Sequence, residues 1–158
     1  MTDRKIITEL FIKTLEKNIA SSQEGIEMQK DYLADQPGPM QSRYDSALVE
    51  GQWQLSEMKK SLDEMQRALS LIKELSDIKS DIIVSGSLVI LNQNNSHNGY
   101  FILDAKGAAG ASVIHEGRKY TVITPQSPLG KVLMGRKSGE TAEFKTSRVM
   151  RCKIEEVC

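Results

Sequence analysis

The sequence has few of the residues that build disulfide frameworks, aromatic pockets or membrane spans. Its 158 residues include two cysteines and one tryptophan, and 5% are aromatic. Cys152 and Cys158 form no CxxC pair, which argues against a disulfide framework and a thiolate metal site. No apolar run approaches the roughly 20 residues that a membrane-spanning helix needs, and polar Thr8 and Glu9 follow the apolar start at Ile6. We therefore expect a cytosolic protein without a membrane partner.

The sequence also lacks a net charge, which is formally zero at pH 7. Residues 1–79 carry 11 Lys or Arg against 14 Asp or Glu, and residues 80–158 carry 10 against 7. The first half is therefore mildly acidic and the second mildly basic. An excess of three positive charges is too small to indicate specific DNA recognition, so any DNA binding is expected to be weak.

Two long stretches have the apolar spacing of amphipathic helices. Over residues 6–33, apolar side chains recur in alternating steps of three and four, although Ser22 and Gln29 are polar at two of these positions. A second stretch runs to about Lys79 with the same alternation. Its positions are Tyr44, Leu48, Gly51, Leu55, Met58, Leu62, Met65, Leu69 and Ile72. Two helices with such apolar faces, joined by a short break, predict an antiparallel coiled coil. The alternative, two helices of a globular bundle, is less favoured because no third amphipathic helix is available to complete the bundle.

The segment Gln36-Pro37-Gly38-Pro39 separates the two helical stretches. Each proline fixes its own φ and disfavours a helical conformation at the preceding residue, so the first helix must end here. Gly38 and Pro39 suit the N-cap and the first position of the second helix. We therefore predict a helical hairpin over residues 1–79 with its tip at about 36–41.

Residues 80–158 predict a small antiparallel β domain. Short apolar runs bounded by turn residues indicate strands at 88–91, 100–103, 119–124, 142–144 and 148–154. A hairpin loop is expected over 92–99 and a flexible connector over 107–110. Alternation in the last strand makes Cys152 a core residue more readily than a reactive thiol. The predicted fold class is α+β, with a helical hairpin followed by a β domain that includes one short helix.

The short helix has recognisable start and stop signals. Ser127 is a good N-cap, Pro128 a good first residue and Gly135 a good left-handed terminator. The apolar side chains expected to pack on the sheet are Leu129, Val132 and Leu133. Gln126, Ser127 and Pro128 at the exposed start are harder to explain by packing.

This combination resembles the bacterial Gre transcript cleavage and elongation factors, which join a coiled coil to an FKBP-like C-terminal domain. The most specific match is ITPQSPLGKVLMGRKSGE at residues 123–140, where a short strand leads into Ser-Pro, a small apolar helix, a basic end and Gly-Glu. Residues 86–91 resemble the first β strand of that domain, and residues 44–48 resemble the start of the second helix. The resemblance covers most of the chain.

The resemblance implies that the partner is RNA polymerase. In the family, the β domain docks on the rim of the polymerase secondary channel while the hairpin enters the channel. An Asp- or Asn-Ser-Pro sequence at the start of the short helix belongs to the docking surface, which implies a docking role for Gln126, Ser127 and Pro128. The chain would then be a monomeric, non-catalytic regulator that meets nucleic acid only through the transcription complex.

Cleavage-competent members of the family also carry two acidic residues about three and six positions before a tyrosine that opens the second helix. Their carboxylates help to hold a Mg²⁺ ion shared with the polymerase, which activates water for attack on RNA. With Tyr44 as that tyrosine, Gln41 and Gly38 stand at these positions. The resemblance therefore implies binding with weak or absent cleavage stimulation and no cofactor of the chain's own. Asp35 and Asp45 leave a cleavage-competent tip as the alternative.

Two other classes of function stay open. A prolyl isomerase would need an aromatic-lined pocket, whereas Tyr100, Phe101, Tyr120 and Phe144 lie in predicted strands, which should bury most of them. A coiled-coil adaptor would bind a different protein or a second copy of itself. Trp53 bears on this alternative, because it could pack beside the hairpin seam, which we favour, or remain exposed for a partner.

Overall fold

The first half of the chain folds into two long antiparallel helices. The computed structural model describes residues 2–35 and 42–158, without the side chains of residues 42–45. Helix α1 spans Arg4–Ala34 and α2 spans Ser42–Glu74. At about 1.5 Å per residue, each helix is roughly 45–50 Å long. The predicted reversal Gln36-Pro37-Gly38-Pro39 lies outside the described residues, while the described parts of both helices confirm the predicted hairpin arms.

The inner seam of the hairpin relies on close backbone approach in its distal half. A Cβ atom on Gly51 would lie 2.6 Å from Leu33 Cδ2, so the missing side chain lets Leu33 rest against the α2 backbone. Gln29 Nε2 donates a hydrogen bond to the Gly51 carbonyl at 3.3 Å. The apolar seam therefore gives way to a polar contact in the distal half, at the position where the sequence pattern already weakens.

The second half contains six strands and two short helical segments. The strands are β1 (Leu88–Gln93), β2 (Ser96–Ile102), β3 (Ser112–His115), β4 (Arg118–Ile123), β5 (Thr141–Lys145) and β6 (Val149–Val157). A 3₁₀ turn at Lys106–Ala108 follows β2, and α3 spans Pro128–Leu133. The strands form one sheet in the order β3-β4-β2-β1-β6-β5. The α+β fold class is therefore confirmed.

The sheet is mixed, which differs from the predicted all-antiparallel arrangement. Strands β2 and β4 pair in parallel, with Ile102 opposite Ile123, while every other neighbouring pair is antiparallel. The difference arises because the chain leaves β2 through the 3₁₀ turn and adds β3 as an edge strand before β4. Strand β3 was not predicted, since it is only four residues long and its Ile114 is 73% exposed.

The loop predicted over residues 92–99 is in fact a tight two-residue turn. Asn94 and Asn95 have φ values of 50° and 64°, and Gln93 pairs directly with Ser96. Positive φ at both central residues is the geometry of a type I′ hairpin turn, which asparagine tolerates better than most residues. Strands β1 and β2 are consequently longer than predicted.

The sheet is covered on both faces. On one face, Leu88, Ile90, Phe101 and Val122 pack with residues from the base of the hairpin. The hairpin contributes Ile7, Phe11, Leu15, Ala68 and Ile72. On the other face, α3 packs over a second core, whose buried members include Val89, Leu91, Ile102, Leu129, Leu133, Ala142, Cys152 and Ile154. The base of the hairpin is therefore part of the core of the β half, while the distal hairpin projects from it.

Arg4 fastens the base of the hairpin to the sheet. Its guanidinium donates hydrogen bonds to the backbone oxygens of Leu75, Ser76, Gly86 and Cys158 at 2.6–3.1 Å. Two of these acceptors, Leu75 and Ser76, directly follow α2, which ends at Glu74. The predicted end of this helix at about Lys79 was therefore too late, because the carbonyls after Glu74 bond to Arg4. Partial burial lowers the pKa of the guanidinium, which nevertheless stays charged at neutral pH.

We expect Arg4→Met to lower the free energy of unfolding by about 2–4 kcal/mol, because it leaves several partly buried backbone acceptors without their charged donor. Urea denaturation followed by circular dichroism measures the loss. Arg67→Met is the matched control, since Arg67 forms only an exposed ion pair with Asp63 and its replacement should cost less than about 0.5 kcal/mol. Equal stability of the two variants would contradict the role of Arg4.

Candidate functional site

The start of α3 is built as the sequence predicts. The Ser127 hydroxyl accepts a hydrogen bond from the Gly130 backbone N–H at 3.0 Å and donates one to the Thr124 carbonyl at 2.7 Å. Pro128 occupies the first turn, and Gly135, with φ of 79°, follows the end of the helix. Ser127 therefore holds a rigid loop-to-helix corner.

The corner presents its polar start to solvent and its apolar residues to the sheet. Leu129 and Leu133 are buried in the core, which confirms their predicted packing. Gln126 and Pro128 are exposed, and Ser127 is half-buried by its capping contacts. The three residues with a predicted docking role thus lie together at an accessible edge of the β half.

A fourth residue, Asp104, joins this edge. Gln126 Nε2 donates a hydrogen bond to Asp104 Oδ1 at 3.0 Å, and both side chains are exposed. The parallel pairing of β2 and β4 creates the juxtaposition, because both strands end at the same edge and Leu103 N–H still bonds to the Ile123 carbonyl at 2.9 Å. The sequence analysis missed Asp104 because an antiparallel sheet would have sent the two strand ends to opposite edges.

The loop after Asp104 is seated on α2. A Cβ atom on Gly107 would lie 2.3 Å from the Glu64 carbonyl group and 2.5 Å from the Met65 nitrogen, so only glycine permits this approach. Beside the seat runs an open groove of about 630 Å³. Its lining includes Glu64, Arg67, Ser70, Leu71, Asp104 and Lys106. The edge that carries Gln126 is therefore connected to the hairpin through a direct backbone contact.

At the distal end of α1, Asp35 is the C-cap residue and is exposed. Its backbone N–H donates a hydrogen bond to the Asp31 carbonyl. The last turn of α1 has no basic residue that would offset the negative end of the helix dipole beside the Asp31 and Asp35 carboxylates. Gly38, Gln41 and the side chain of Asp45 lie outside the described residues. Within residues 2–35 and 42–158, the structure forms no cluster of three or more potential metal ligands.

The two thiols are both held in the neutral form. Burial raises the pKa of Cys152 and raises that of Cys158 to about 12, where a hydrogen bond to Glu156 adds to the effect. Cys152 is 1% exposed, as expected of a core residue. Since the thiolate is the reactive form, this environment favours a structural role for Cys152.

Trp53 lies away from the seam, so the favoured packing interpretation was wrong. Its side chain is 65% exposed. Gly51 is buried against α1, and a residue two positions further along a helix is rotated by about 200°, which turns Trp53 to the outer face. Of the four aromatic residues in the predicted strands, Phe101 and Tyr120 are buried in the core shared with the hairpin, whereas Tyr100 and Phe144 are half-buried, so the strands bury two of the four rather than most of them.

The fold is thus a helical hairpin joined to a six-stranded mixed sheet with a short capping helix, and no helix among the described residues is long and apolar enough to cross a membrane. Neither a protein-family model nor a curated protein matches the sequence.

Solved structures are similar to the chain over most of its length. The transcription factor Gfh1 is 17% identical, covers 92% of both chains and has a TM-score of 0.39. GreA factor homolog 1 (Gfh1) of Thermus thermophilus is 16% identical over 93% of this chain and 94% of that one, with a TM-score of 0.39. Thermus aquaticus Gfh1 is 19% identical over 92% of both chains, also with a TM-score of 0.39.

We expect Ser127→Ala to destabilise the protein by about 1 kcal/mol, because the first turn of α3 loses its side-chain cap. Ser127→Thr keeps a hydroxyl at the same position and should recover most of this loss. Urea denaturation of the two variants beside the unmodified chain measures the difference. An alanine variant as stable as the unmodified chain would show that the cap does not hold the corner.

Proposed function

We propose that the chain is a non-catalytic regulator of transcription that binds RNA polymerase at its secondary channel, with little stimulation of transcript cleavage. The observation that carries the proposal is the exposed edge at which Gln126, Ser127 and Pro128 meet Asp104. Gln126, Ser127 and Pro128 are the residues to which the resemblance to Gre factors assigns docking, and they lie on the corner that the Ser127 cap holds.

Asp104 adds the charge that the docking sequence lacks. The family has Asp or Asn before Ser-Pro, whereas this chain has Gln126. The Gln126 amide donates to the Asp104 carboxylate, so the edge offers both an amide and an acidic group within one hydrogen bond of each other. An amide and a carboxylate can receive the polar or basic side chains of a protein partner.

The hairpin supplies the second part of the proposal, since it is long enough to act at a distance from the docking edge. Its two helices are 31 and 33 residues long. The Gly107 seat and the Arg4 hydrogen bonds tie its base to the sheet. A docked β half would therefore set the direction in which the hairpin enters the channel.

Weak cleavage stimulation follows from the residues near the tip. Gly38 and Gln41 provide no carboxylate at the positions where cleavage-competent relatives hold acids. A second Mg²⁺ ion prefers carboxylate and other oxygen ligands, so it would lack its usual support. The alternative is a cleavage-competent tip that uses Asp35 and Asp45, and any cleavage would then be performed by the polymerase.

A two-stage experiment tests this function. The chain is expected to be retained by immobilised core RNA polymerase at micromolar concentration. Added to backtracked complexes with Mg²⁺, it should release little 3′ RNA fragment and should compete with a cleavage-competent factor. Absence of binding would overturn the polymerase proposal, whereas rapid Mg²⁺-dependent fragment release would overturn only the statement about cleavage.

Charge reversal at the docking edge gives a residue-level prediction. Asp104→Lys should weaken polymerase binding about tenfold or more. The substitution removes the carboxylate and puts a cation at the edge that is expected to receive a basic side chain of the polymerase, so the two positive charges repel each other. Biolayer interferometry with core polymerase measures the affinity. Glu143→Lys is the matched control, since Glu143 is an exposed carboxylate on β5 and pairs only with Arg151. Equal effects of the two variants would place docking elsewhere.

A further inference from the structure

Two large apolar side chains lie exposed on the outer face of α2. Val49 and Trp53 are 66% and 65% exposed and stand one helical turn apart. They line a shallow depression together with Ser46 and Glu50. We call Val49, Glu50, Trp53 and Glu57 the outer patch. Neighbouring apolar residues surrounded by polar ones often mark an interaction site.

The outer patch does not contribute to the packing of the hairpin. Gly51 faces α1 and is buried against Leu33, whereas Val49 and Trp53 point away from this seam. Tryptophan buries more apolar surface than most side chains, so leaving it in water forgoes a large stabilisation. Trp53 is therefore better explained by a contact with another molecule than by folding of this chain.

Charges around Trp53 define what that contact can be. Glu50 and Glu57 are exposed, lie three residues before and four residues after Trp53, and form no ion pair within the part of the chain that the structure describes. The face of an indole ring attracts cations, and a carboxylate one turn away on either side strengthens that attraction. The patch suits a lysine or arginine side chain.

The same charges argue against other occupants. A second copy of the chain packed face to face would bring four carboxylates together around two tryptophans, which is repulsive. Two apolar side chains also offer much less than the roughly 800 Å² that each partner buries in a typical stable interface. Nucleic acid would bring phosphates towards Glu50 and Glu57, so stacking of a base on Trp53 is disfavoured.

We infer that the outer patch binds a lysine or arginine side chain on the wall of the polymerase secondary channel. This inference rests on the proposed function and extends it to a second contact point. Trp53 precedes Glu64, on which Gly107 is seated, by 11 residues, which places it about 16 Å nearer the start of α2. A contact at this position would fix the depth of the hairpin independently of the docking edge.

A spectroscopic experiment tests the contact directly. Trp53 is the only tryptophan in the sequence, so biosynthetic incorporation of 7-azatryptophan labels this position alone. The label is excited at wavelengths where the tryptophans of polymerase absorb little. Acrylamide should quench the fluorescence of the label efficiently in the free chain. In the polymerase-bound chain the quenching constant should fall at least about threefold, because the partner covers the ring.

Each outcome of this experiment is informative. Binding without protection of the label would overturn the outer-patch contact and leave the proposed function intact. Failure to bind would overturn both. Protection by single-stranded RNA alone, without polymerase, would also overturn the inference, since it would assign the ring to nucleic acid rather than to a basic protein side chain.

Substitutions supply an independent measurement. Trp53→Ala should weaken polymerase binding about tenfold, and the double variant Glu50→Lys with Glu57→Lys should weaken it at least as much. Ile114→Ala is the matched control, because Ile114 is similarly exposed on β3 and should change affinity less than twofold. Thermal melts should show all these variants folded. Unchanged affinity of Trp53→Ala would contradict the inference.

Discussion

The guanidinium of Arg4 joins parts of the molecule that are far apart in sequence. It stands in the first turn of α1 and bonds to carbonyls after α2, in the connection before β1 and at the end of the last strand. Its carbon lies 6.0 Å from the centre of the Phe101 ring, at the core shared by hairpin and sheet. A planar guanidinium offers five donors on three nitrogens in a fixed fork, which suits four separated acceptors better than the three donors on the single nitrogen of lysine. Arg4 therefore adds directional polar contacts to the apolar core that the hairpin and the sheet share.

A fixed base holds the proposed docking edge and the hairpin in one fixed relative position. The 3₁₀ turn carries Gly107 onto α2 only three residues after Asp104, and Asp104 is hydrogen-bonded to Gln126. Asp104 is therefore joined to α2 through a short stretch of backbone, and Gln126 is joined to Asp104 through a side-chain hydrogen bond. This arrangement supports the proposal that the edge and the hairpin contact one partner at two places.

Sequence patterns predicted the features that depend on neighbouring residues. The hairpin arms follow from apolar periodicity, and the corner at Ser127 follows from the cap, the proline and the terminating glycine. The parallel pairing of β2 with β4 could not be predicted in this way, because it depends on an unpredicted strand, β3, which precedes β4 in the chain and pairs with it at the edge of the sheet. Asp104 was missed for the same reason.

Other differences arose where two local interpretations were equally compatible with the pattern. Asn94 and Asn95 resembled part of a long polar loop, although their tolerance of positive φ allows a tight turn. Trp53 lies between two seam positions, and only the rotation of α2 decides which face it occupies. The residues near the tip, including Gly38 and Gln41, lie outside the described part of the chain, so their interpretation still depends on the sequence.

The hydrogen bond from Gln29 to the Gly51 carbonyl has a consequence for the reach of the hairpin. Apolar heptads alone would allow two helices to slide past each other by seven residues, which moves one helix relative to the other by about 10 Å. A polar side chain directed at the one glycine of α2 makes such a slipped pairing unfavourable, because the amide would lose its acceptor and Leu33 its space. Gln29 and Gly51 thus specify how far the hairpin extends beyond the sheet.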